Sequence, residues 1–437
     1  MLCSSGAPTL PPSRIMFSLP SKSIPSAATL LLGTLCLTST VSAQFDPNNG
    51  RWKKRDPGNV RVMTWNIQDN IRTGESKLEG NLSWHAVVTI VASLRPDILL
   101  LQETADNGFV DSVPDMLTVF DLFFHGGADP FVGGNVESYV TKYAPGYVLP
   151  HVFVSFQTDG FNRNVILSRF PFKDLNGDGI SQYNNLFFMQ ADAYAPGTVG
   201  NPIIRGLQMA ELDLPDSRYL GDLVVMNCHL RAGGQSSDLS ERLAAGKNIA
   251  YMIDYWYCGA GSGIPDPSNV IFESPAATSV LDSLTPVILG GDLNEDESTN
   301  FRKGPAEWIA NAEFDHPVLD GPDRDRGDST YDLAVNQCNP VDDATQGNNS
   351  TLDYIIWQDS IAVRDLEFIF HSGWIPSGCN TAYPPELMHF PFPNNASIRA
   401  SDHRPVIVDL RLPMKPTEAT DPTPSPRPPR GGVFPGQ

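Results

Sequence analysis

The sequence predicts an α/β fold in which strands and helices surround a large apolar core. Short apolar runs rich in β-branched residues recur along the chain, and most are continuous rather than alternating, which is typical of strands buried on both faces. These runs are Val60–Trp65, Ile98–Leu101, Val165–Leu167, Leu223–Met226, Val287–Leu289, Tyr354–Trp357 and Val406–Leu410. Helical patterns and long Gly-, Pro- and Asn-rich loops lie between them, so we expect a layered sandwich.

Two segments have the spacing of amphipathic helices. The first has Ser83 as its predicted N-cap, apolar residues at helical spacing from Trp84 to Leu94, and Pro96 as its stop signal. The second is predicted to begin near Ser237, with an apolar face made of Leu239, Leu243, Ala250 and Ile253.

Composition excludes several classes of protein. The 437 residues are 41% hydrophobic and only 18% charged, which excludes a wholly disordered chain and a coiled coil. The formal charge is −20. This charge argues against a protein that holds nucleic acid by bulk electrostatics, because that mode needs Lys and Arg to displace counterions. An enzyme that contacts a single phosphate group remains compatible with it.

Both ends of the chain are predicted to lie outside the folded domain. Residues 1–43 are predicted to be a cleavable export signal, with an apolar run and a small-x-small cleavage site ending at Ala43. A membrane anchor is the alternative, but the run is short and interrupted, so no stable membrane insertion is expected. Residues 413–437 contain eight prolines and are predicted to form a solvated, disordered tail. The domain is assigned to residues 44–412 of a secreted or periplasmic protein, expected to be a monomer.

Four cysteines remain after removal of the predicted signal: Cys228, Cys258, Cys338 and Cys379. An even number in an exported chain permits two disulfides, in three pairings. We favour Cys338–Cys379, because both residues lie in loop-like sequence. Free buried thiols are the alternative.

Polar side chains follow directly on four of the predicted strands: Asn66, Glu103, His229 and Asp292. Several strand ends that deliver amide, carboxylate and imidazole groups are typical of an active site on a rigid scaffold. Each residue alone has a structural alternative. These are a turn at Asn66, a salt bridge for Glu103, a satisfied buried imidazole for His229 and an Asx turn at Asp292.

The chemistry of these groups is complementary. In extended chain Asp292 and Asn294 point the same way, so a carboxylate that can accept a proton from water faces an amide that can donate to an anionic oxygen. Glu103 needs a partner for its desolvated charge, and a hard cation such as Mg²⁺ would supply one. Asp353 begins an apolar strand and could pair with His403, holding the imidazole in one tautomer.

Together these segments resemble the endonuclease/exonuclease/phosphatase superfamily, whose fold is deoxyribonuclease-I-like. The motifs are Trp-Asn, Leu-Gln-Glu, His-Leu, Gly-Asp-Leu-Asn, Leu-Asp-Tyr and Ser-Asp-His, in this order between about Arg61 and Leu410. The resemblance implies that residues 44–412 form a catalytic domain, a four-layer α/β/β/α sandwich of two packed mixed sheets flanked by helices. It also implies hydrolysis of a phosphate ester that depends on Mg²⁺ or Mn²⁺.

The resemblance further implies a metal site. Glu103 corresponds to the principal metal ligand, Asn66 assists it, and Asp402 lies near the metal. Some nucleases of the family carry an Asp two residues after the Asn, where this chain has Gln68. A single metal ion is therefore expected.

Catalytic roles follow from the same resemblance. Asp292 would position or deprotonate the attacking water, and Asn294 and His229 would hold the phosphate oxygens. Asp353 would orient His403, which would bind the phosphate or assist proton transfer.

A second metal site is predicted at Asp174, Asn176 and Asp178, which have the spacing of a calcium-binding loop. The twelfth position of the loop is Asn185, where a bidentate acid is usual. A structural Ca²⁺ ion and a polar turn are both open interpretations.

The sequence therefore predicts a secreted phosphodiesterase, most of all a nuclease acting on nucleic acid. The segment 229–234 resembles exported nuclease-type relatives, and Arg163, Arg169, Arg231 and Arg242 could supply local positive potential. For Arg231 and Arg242 the alternative is a solvated helix face.

Two other functions remain open. A sphingomyelinase-like or inositol-phosphate phosphatase would be favoured by an exposed apolar hairpin, for which Phe120–Phe124 and Phe187–Met189 are candidates. A catalytically silent binding scaffold is the alternative from another class.

Overall fold

Two six-stranded mixed sheets dominate the computed structural model of the protein. The structure describes residues 45–105, 110–156, 162–177, 179–184, 207–257, 281–297, 304–310, 329–331, 334–347, 349–379 and 382–416. The predicted export signal, Cys258, Phe187–Met189 and residues 417–437 lie outside the described residues.

The first sheet is built from both ends of the domain. Its strands are β1 (Val60–Asn66), β2 (Ile98–Gln102), β5 (His151–Val154), β6 (Val165–Ser168), β13 (Val363–Ile369) and β14 (Val406–Arg411). Their order is β13-β14-β1-β2-β6-β5. Strands β1 and β2 are parallel, and the other neighbouring pairs are antiparallel.

The second sheet comes from the middle of the chain. Its strands are β7 (Gln182–Tyr183), β8 (Leu207–Leu212), β9 (Leu223–His229), β10 (Val287–Asp292), β11 (Ser329–Tyr331) and β12 (Asp353–Gln358). Their order is β11-β12-β10-β9-β8-β7, with β9 and β10 parallel. A separate short hairpin joins β3 (Gly127–Ala128) to β4 (Asn135–Val136).

All seven predicted strands are present, and each is one to three residues longer than predicted. The additions matter for the site, because Asn66, His229, Asp292 and Asp353 belong to the strands themselves rather than to the loops beyond them. The hydrogen-bonded ladder therefore holds these residues in place.

The helices lie on the outer faces of the sheets. They are α1 (Ser83–Leu94), α2 (Val113–His125), α3 (Tyr139–Tyr143), α4 (Ser236–Tyr257), α5 (Pro305–Ala310), α6 (Ile375–Gly378) and α7 (Ala396–Ala400), with 3₁₀ turns at Pro47–Asn49, Ser372–Trp374, Pro385–His389 and Pro393–Asn395. The prediction of Ser83 as N-cap is wrong by one residue. The carbonyl of Leu82 already accepts a helical hydrogen bond from Ala86 N, so Leu82 is the cap.

Side-chain alternation along the strands divides the core into three apolar layers. Val62 and Leu100 face the second sheet, whereas Trp65 and Leu99 face outward into the layer that contains α1, α2 and α3. On the second sheet, Met226 and its neighbours face outward into the layer that contains α4 and α5. This arrangement is the predicted four-layer sandwich. Phe120, Phe123 and Phe124 are buried in α2, so that segment is core and not an exposed hairpin.

The structure tests the predictions for three of the four cysteines and for the start of the C-terminal tail. Cys338 and Cys379 form the predicted disulfide, and Cys228 is a buried free thiol. Residues 413–416, assigned to the tail, instead pack on the domain: Pro413 O accepts a hydrogen bond from Leu220 N at 2.9 Å, and the folded part thus reaches Pro416. No helix in the described part of the chain is long and apolar enough to cross a membrane.

Candidate active site

The candidate site lies where the carboxyl ends of the two parallel strand pairs meet. Asn66 ends β1 and Glu103 follows β2 directly, while His229 and Asp292 are the paired last residues of β9 and β10. Asp353, the first residue of β12, pairs with Asp292 from the other side. Both sheets therefore contribute side chains to one small volume, at the position where α/β proteins commonly bind ligands.

The carboxylate of Asp292 is the centre of this volume. Its Oδ2 accepts a hydrogen bond from Asn66 Nδ2 at 2.9 Å, across the two sheets, and its Oδ1 accepts one from the backbone N–H of Asn294 at 2.9 Å. His229 Nε2 lies 3.4 Å and His403 Nε2 lies 3.8 Å from Oδ2. Asp292 is 1% exposed, so its carboxylate is shielded from solvent.

His403 is held in one orientation by three neighbours. Its Nδ1 lies 2.8 Å from Asp353 Oδ2. The Ser401 hydroxyl accepts a hydrogen bond from His403 N and donates one to Asn66 O, which ties the loop to β1. Trp65 Nε1 donates to His403 O at 3.0 Å. The last two contacts fix the backbone of His403, and the contact of Nδ1 with Asp353 orients the ring so that Nε2 lies 3.8 Å from Asp292 Oδ2.

Burial and charge shift the two central pKa values in the same direction. Burial raises the pKa of Asp292 to about 7, despite the lowering influence of the His403 charge. For His403, burial is the largest single influence and lowers the pKa, but the charges of Asp353 and Asp292 together raise it to about 10. At neutral pH the site thus holds an imidazolium beside a carboxyl group that can both take and release a proton.

Glu103 stands at the rim of the same volume. Its Oε1 lies 3.6 Å from His229 Nε2, and its side chain is 26% exposed. Glu103 and Asn294 both adopt positive φ angles, 48° and 53°. Such backbone costs free energy at a residue other than Gly and is found preferentially at functional sites.

The glycines before Asp292 permit the close approach expected from the sequence. A Cβ on Gly291 would lie 2.2 Å from Cys228 O, and one on Gly290 would lie 2.6 Å from Leu100 Cδ1 in the opposite sheet. The second contact shows that the two sheets come close at this level.

Asp402 is predicted to lie near the metal, and Gln68 stands where some nucleases of the family carry an Asp. Asp402 has an exposed side chain beside His403, whose pKa its charge helps to raise. Gln68 is exposed and donates its backbone N–H to Asn66 Oδ1 at 3.1 Å. A role for Asp402 as a metal neighbour stays a prediction.

Sequence reasoning missed Asp69, one position beyond Gln68. Its backbone N–H donates to Glu103 O at 2.6 Å, and burial raises the pKa of its carboxyl to about 6, with the Glu103 charge among the contributors. The turn at Gln68 and Asp69, both with positive φ, brings this carboxyl close to Glu103. No motif in the sequence indicated it.

Two of the four arginines predicted to supply local positive potential have other partners. Arg242 is 2% exposed and its Nε donates to Glu295 at 3.0 Å, while Arg163 donates to Ser155 O and Asp111 O from a buried position. Both therefore stabilise loops from within. The exposed Arg231 and Arg169 remain available at the surface, each in an ion pair.

The predicted calcium loop is only partly described. Asp174 accepts hydrogen bonds from Gly177 N at 2.7 Å and Gly179 N at 2.9 Å, as in a polar turn. Asn176 is buried, and Asp178 and Asn185 lie outside the described residues. The calcium site stays a prediction.

A sequence profile of the Endonuclease/Exonuclease/phosphatase family matches residues 63–403, which include every candidate residue from Asn66 to His403. The chain belongs to this family. Endonuclease/Exonuclease/phosphatase proteins are metal-dependent hydrolases of phosphodiester or phosphate ester bonds, and the protein is accordingly a phosphoesterase.

Solved structures of the Endonuclease/Exonuclease/phosphatase fold are similar to the chain. A family protein from Beutenbergia cavernae has 17% identity and a TM-score of 0.43 over 81% of this chain and 72% of its own. The human Nocturnin catalytic domain with bound sulfate has 15% identity and a TM-score of 0.40 over 81% and 93%. A mannosyl-6-phosphatase from Bacteroides thetaiotaomicron has 14% identity and a TM-score of 0.41 over 81% and 100%. No curated protein matches the chain by sequence.

The residues present fit the divalent metal that the Endonuclease/Exonuclease/phosphatase family uses. Glu103 offers a partly exposed carboxylate, and Asp353 Oδ1 is a buried oxygen without a hydrogen-bond partner among the described residues. Asp292, Asp353 and His403 also bring one ligand atom each within 4.8 Å of one another. This trio is therefore a second set of side chains that could hold the ion.

Replacing Asp353 by Asn is expected to lower the pKa of His403 from about 10 toward the ordinary 6.5, because it removes the largest influence that raises it. NMR titration of labelled histidine in metal-free buffer measures this shift. The contribution of a raised His pKa to stability is present below about pH 6.5 and is lost as the pH rises through about 10. The stability difference between wild type and variant should therefore shrink across that range. An unchanged His403 titration would contradict the pairing.

Proposed function

We propose that the protein is an exported, Mg²⁺-dependent phosphodiesterase whose first substrate class is nucleic acid. The observation that carries the proposal is the meeting, around Asp292, of side chains from both sheets: Asn66, His229 and His403 surround this one buried carboxylate. A cluster of this composition at a sheet edge has little use as a structural element, because burying Asp292 is costly.

The residues divide the work of hydrolysis between them. Asp292, with a pKa near neutrality, accepts a proton from the attacking water. His403 is cationic at neutral pH and faces the same volume, so its Nε2–H can neutralise a phosphate oxygen or donate a proton to the leaving group. Glu103 and Asn66 would hold Mg²⁺ by their oxygens, and the bound ion supplies charge neutralisation on the phosphoryl group.

Nucleic acid is expected to bind by contacts at the reacting phosphate rather than along a basic surface. The chain carries −20, and Arg163 and Arg242 are engaged inside the domain. Exposed Arg231, two residues after His229, is paired with Asp238 at 3.2 Å and would exchange this partner for a phosphate oxygen. A binding mode of this kind has a shallow salt dependence, because few counterions are released.

Export is supported by two features. Residues 1–43 have the composition of a cleavable signal, and the domain contains the Cys338–Cys379 disulfide, a bond typical of proteins in oxidising compartments. We therefore place the mature protein outside the cytoplasm.

A phospholipid headgroup is the second candidate substrate, and one observation favours it. Met388, Phe392 and Ile398 are 59%, 52% and 71% exposed, and they lie in the segment of short helical turns that precedes His403 in the chain. Large exposed apolar side chains of this kind are suited to a lipid surface.

A side-by-side assay on plasmid DNA, RNA, sphingomyelin vesicles and inositol phosphates tests the proposal. We expect hydrolysis of DNA or RNA with Mg²⁺, loss of activity in EDTA and recovery when Mg²⁺ is restored. Preferred turnover of sphingomyelin would replace the first candidate with the second. Activity that EDTA leaves unchanged, or no turnover of any of the four substrates, would contradict the metal-dependent phosphodiesterase.

A further inference from the structure

The candidate site is divided between the two sheets. Asn66 and Glu103 come from the first sheet, and His229 and Asp292 come from the second. Most of the contact between the sheets is apolar, and apolar packing is not directional. Directional contacts are therefore needed to fix the position of one sheet relative to the other, because catalysis requires reacting groups to be held within about 0.5 Å of the productive geometry.

A fully buried polar bridge lies at the right level. Gln102 Nε2 donates to Asn227 Oδ1 at 2.7 Å, and to Thr64 Oγ1 at 3.0 Å within its own sheet. Asn227 Nδ2 donates to Leu101 O at 2.9 Å and Val165 O at 3.0 Å. Gln102, Asn227 and Thr64 are each 0% exposed.

The geometry of Asn227 is specific. Leu101 and Val165 are register partners at the end of the β2–β6 ladder, and the Asn227 amide from the second sheet donates to the carbonyls of both. The Asn227 side chain thus makes three hydrogen bonds to the opposite sheet: one to a carbonyl of β2, one to a carbonyl of β6 and one to the Gln102 amide. Movement of one sheet along the other would break all three hydrogen bonds together, leaving buried polar groups unsatisfied.

The bridge sits directly beneath the reacting groups. Gln102 precedes Glu103 and is the register partner of Asn66, while Asn227 lies two residues before His229 on the same face of β9. Gly290, the register partner of Asn227, packs closely against Leu100 and Thr64 of the opposite sheet. The polar layer separates the apolar core between the sheets from the site.

We propose that Gln102 and Asn227 are positioning residues that fix the offset between the two sheets and so hold Glu103 and Asn66 in register with Asp292 and His229. This inference rests on the proposed function, since it concerns the rate of that reaction. The bridge touches none of the reacting atoms, and it acts through the residues that follow it on β2 and β9.

The test compares Gln102→Met with Gln358→Met. Gln358 is also a buried Gln, but its Oε1 accepts from Val287 N within one sheet, at the end of β12 opposite Asp353. We expect both variants to lose similar thermal stability. Only Gln102→Met should lose kcat, by about 10- to 100-fold as for a small misplacement of reacting groups, with KM changed much less.

Equal kcat values in the two folded variants would overturn the proposal, and so would a loss confined to KM. If Gln102→Met does not fold, Asn227→Ser, which shortens the bridge, is held to the same criteria. If the wild type itself hydrolyses no phosphate ester, the proposed function fails. The bridge is then judged by crystal structures of the two variants: the contact between the sheets from Asn66 Nδ2 to Asp292 Oδ2, 2.9 Å in the wild type, should lengthen in Gln102→Met and not in Gln358→Met. An unchanged distance in Gln102→Met would overturn the proposal.

Discussion

Replacing Glu103 by Gln is expected to reduce hydrolysis by about 1000-fold, since a bound cation contributes several kcal/mol to phosphoryl-oxygen stabilisation. Glu103 is a partly exposed carboxylate at the rim of the site, next to His229. The substituted amide keeps the size of the side chain and removes its charge. Rates on a small chromogenic phosphodiester, with Mg²⁺ and with Mn²⁺, measure the loss, and Mn²⁺ titration should show weaker binding.

The matched control is Glu367→Gln on edge strand β13. Glu367 has a similarly limited exposure of 18% and pairs with Arg364 away from the site, so its loss should leave the rate unchanged. A Glu103→Gln variant that folds and keeps the wild-type dependence on Mg²⁺ would show that the metal is held elsewhere.

Replacing Asp292 by Asn is expected to lower kcat by about 10²- to 10⁴-fold, the usual contribution of a positioned general base. The carboxyl group is buried, lies next to both imidazoles and titrates near neutrality. Asn has nearly the same shape but cannot accept the proton of water. The residual rate should also lose the rise with pH that accompanies ionisation of Asp292.

Asp222→Asn is the control for this substitution. Asp222 is a half-buried carboxyl whose pKa is also raised by burial, but it precedes β9 at the end opposite His229. Its replacement should not alter the pH profile. Near-normal turnover by a folded Asp292→Asn variant, checked by circular dichroism, would remove Asp292 from the chemistry.

The strands were predictable because their cause is local. The continuous run Val287–Leu289 is short and is bounded by Pro286 and Gly290, which favours a buried strand over a buried helix. Their ends were not predictable to the residue, since the ladder continues as long as a partner strand does. Asp353 and Asp292 are strand residues because they pair with each other, and no property of either segment alone specifies that pairing.

Side-chain partners at long range are the other part that the sequence concealed. In the sequence Arg242 is compatible with the solvated face of a helix. In the structure it is buried and donates a hydrogen bond to Glu295, 53 positions away. Asp69 is brought near Glu103 only by a turn with two positive φ angles. The motifs indicated which residues lie together in the candidate site, because the family resemblance carries that information. They did not indicate which charged side chains form structural ion pairs, as Arg242 does with Glu295.

The closure of the first sheet has a consequence for biosynthesis. Strand β1 pairs with β14 from Val60–Leu410 onward, and the Ser401 hydroxyl reaches Asn66 O across 335 positions of sequence. A nascent chain carries Asn66 and Glu103 long before the strand that pairs with β1 has been made. We therefore expect a chain that ends before β14 to be inactive, and the enzyme to gain activity only once this segment has been translated.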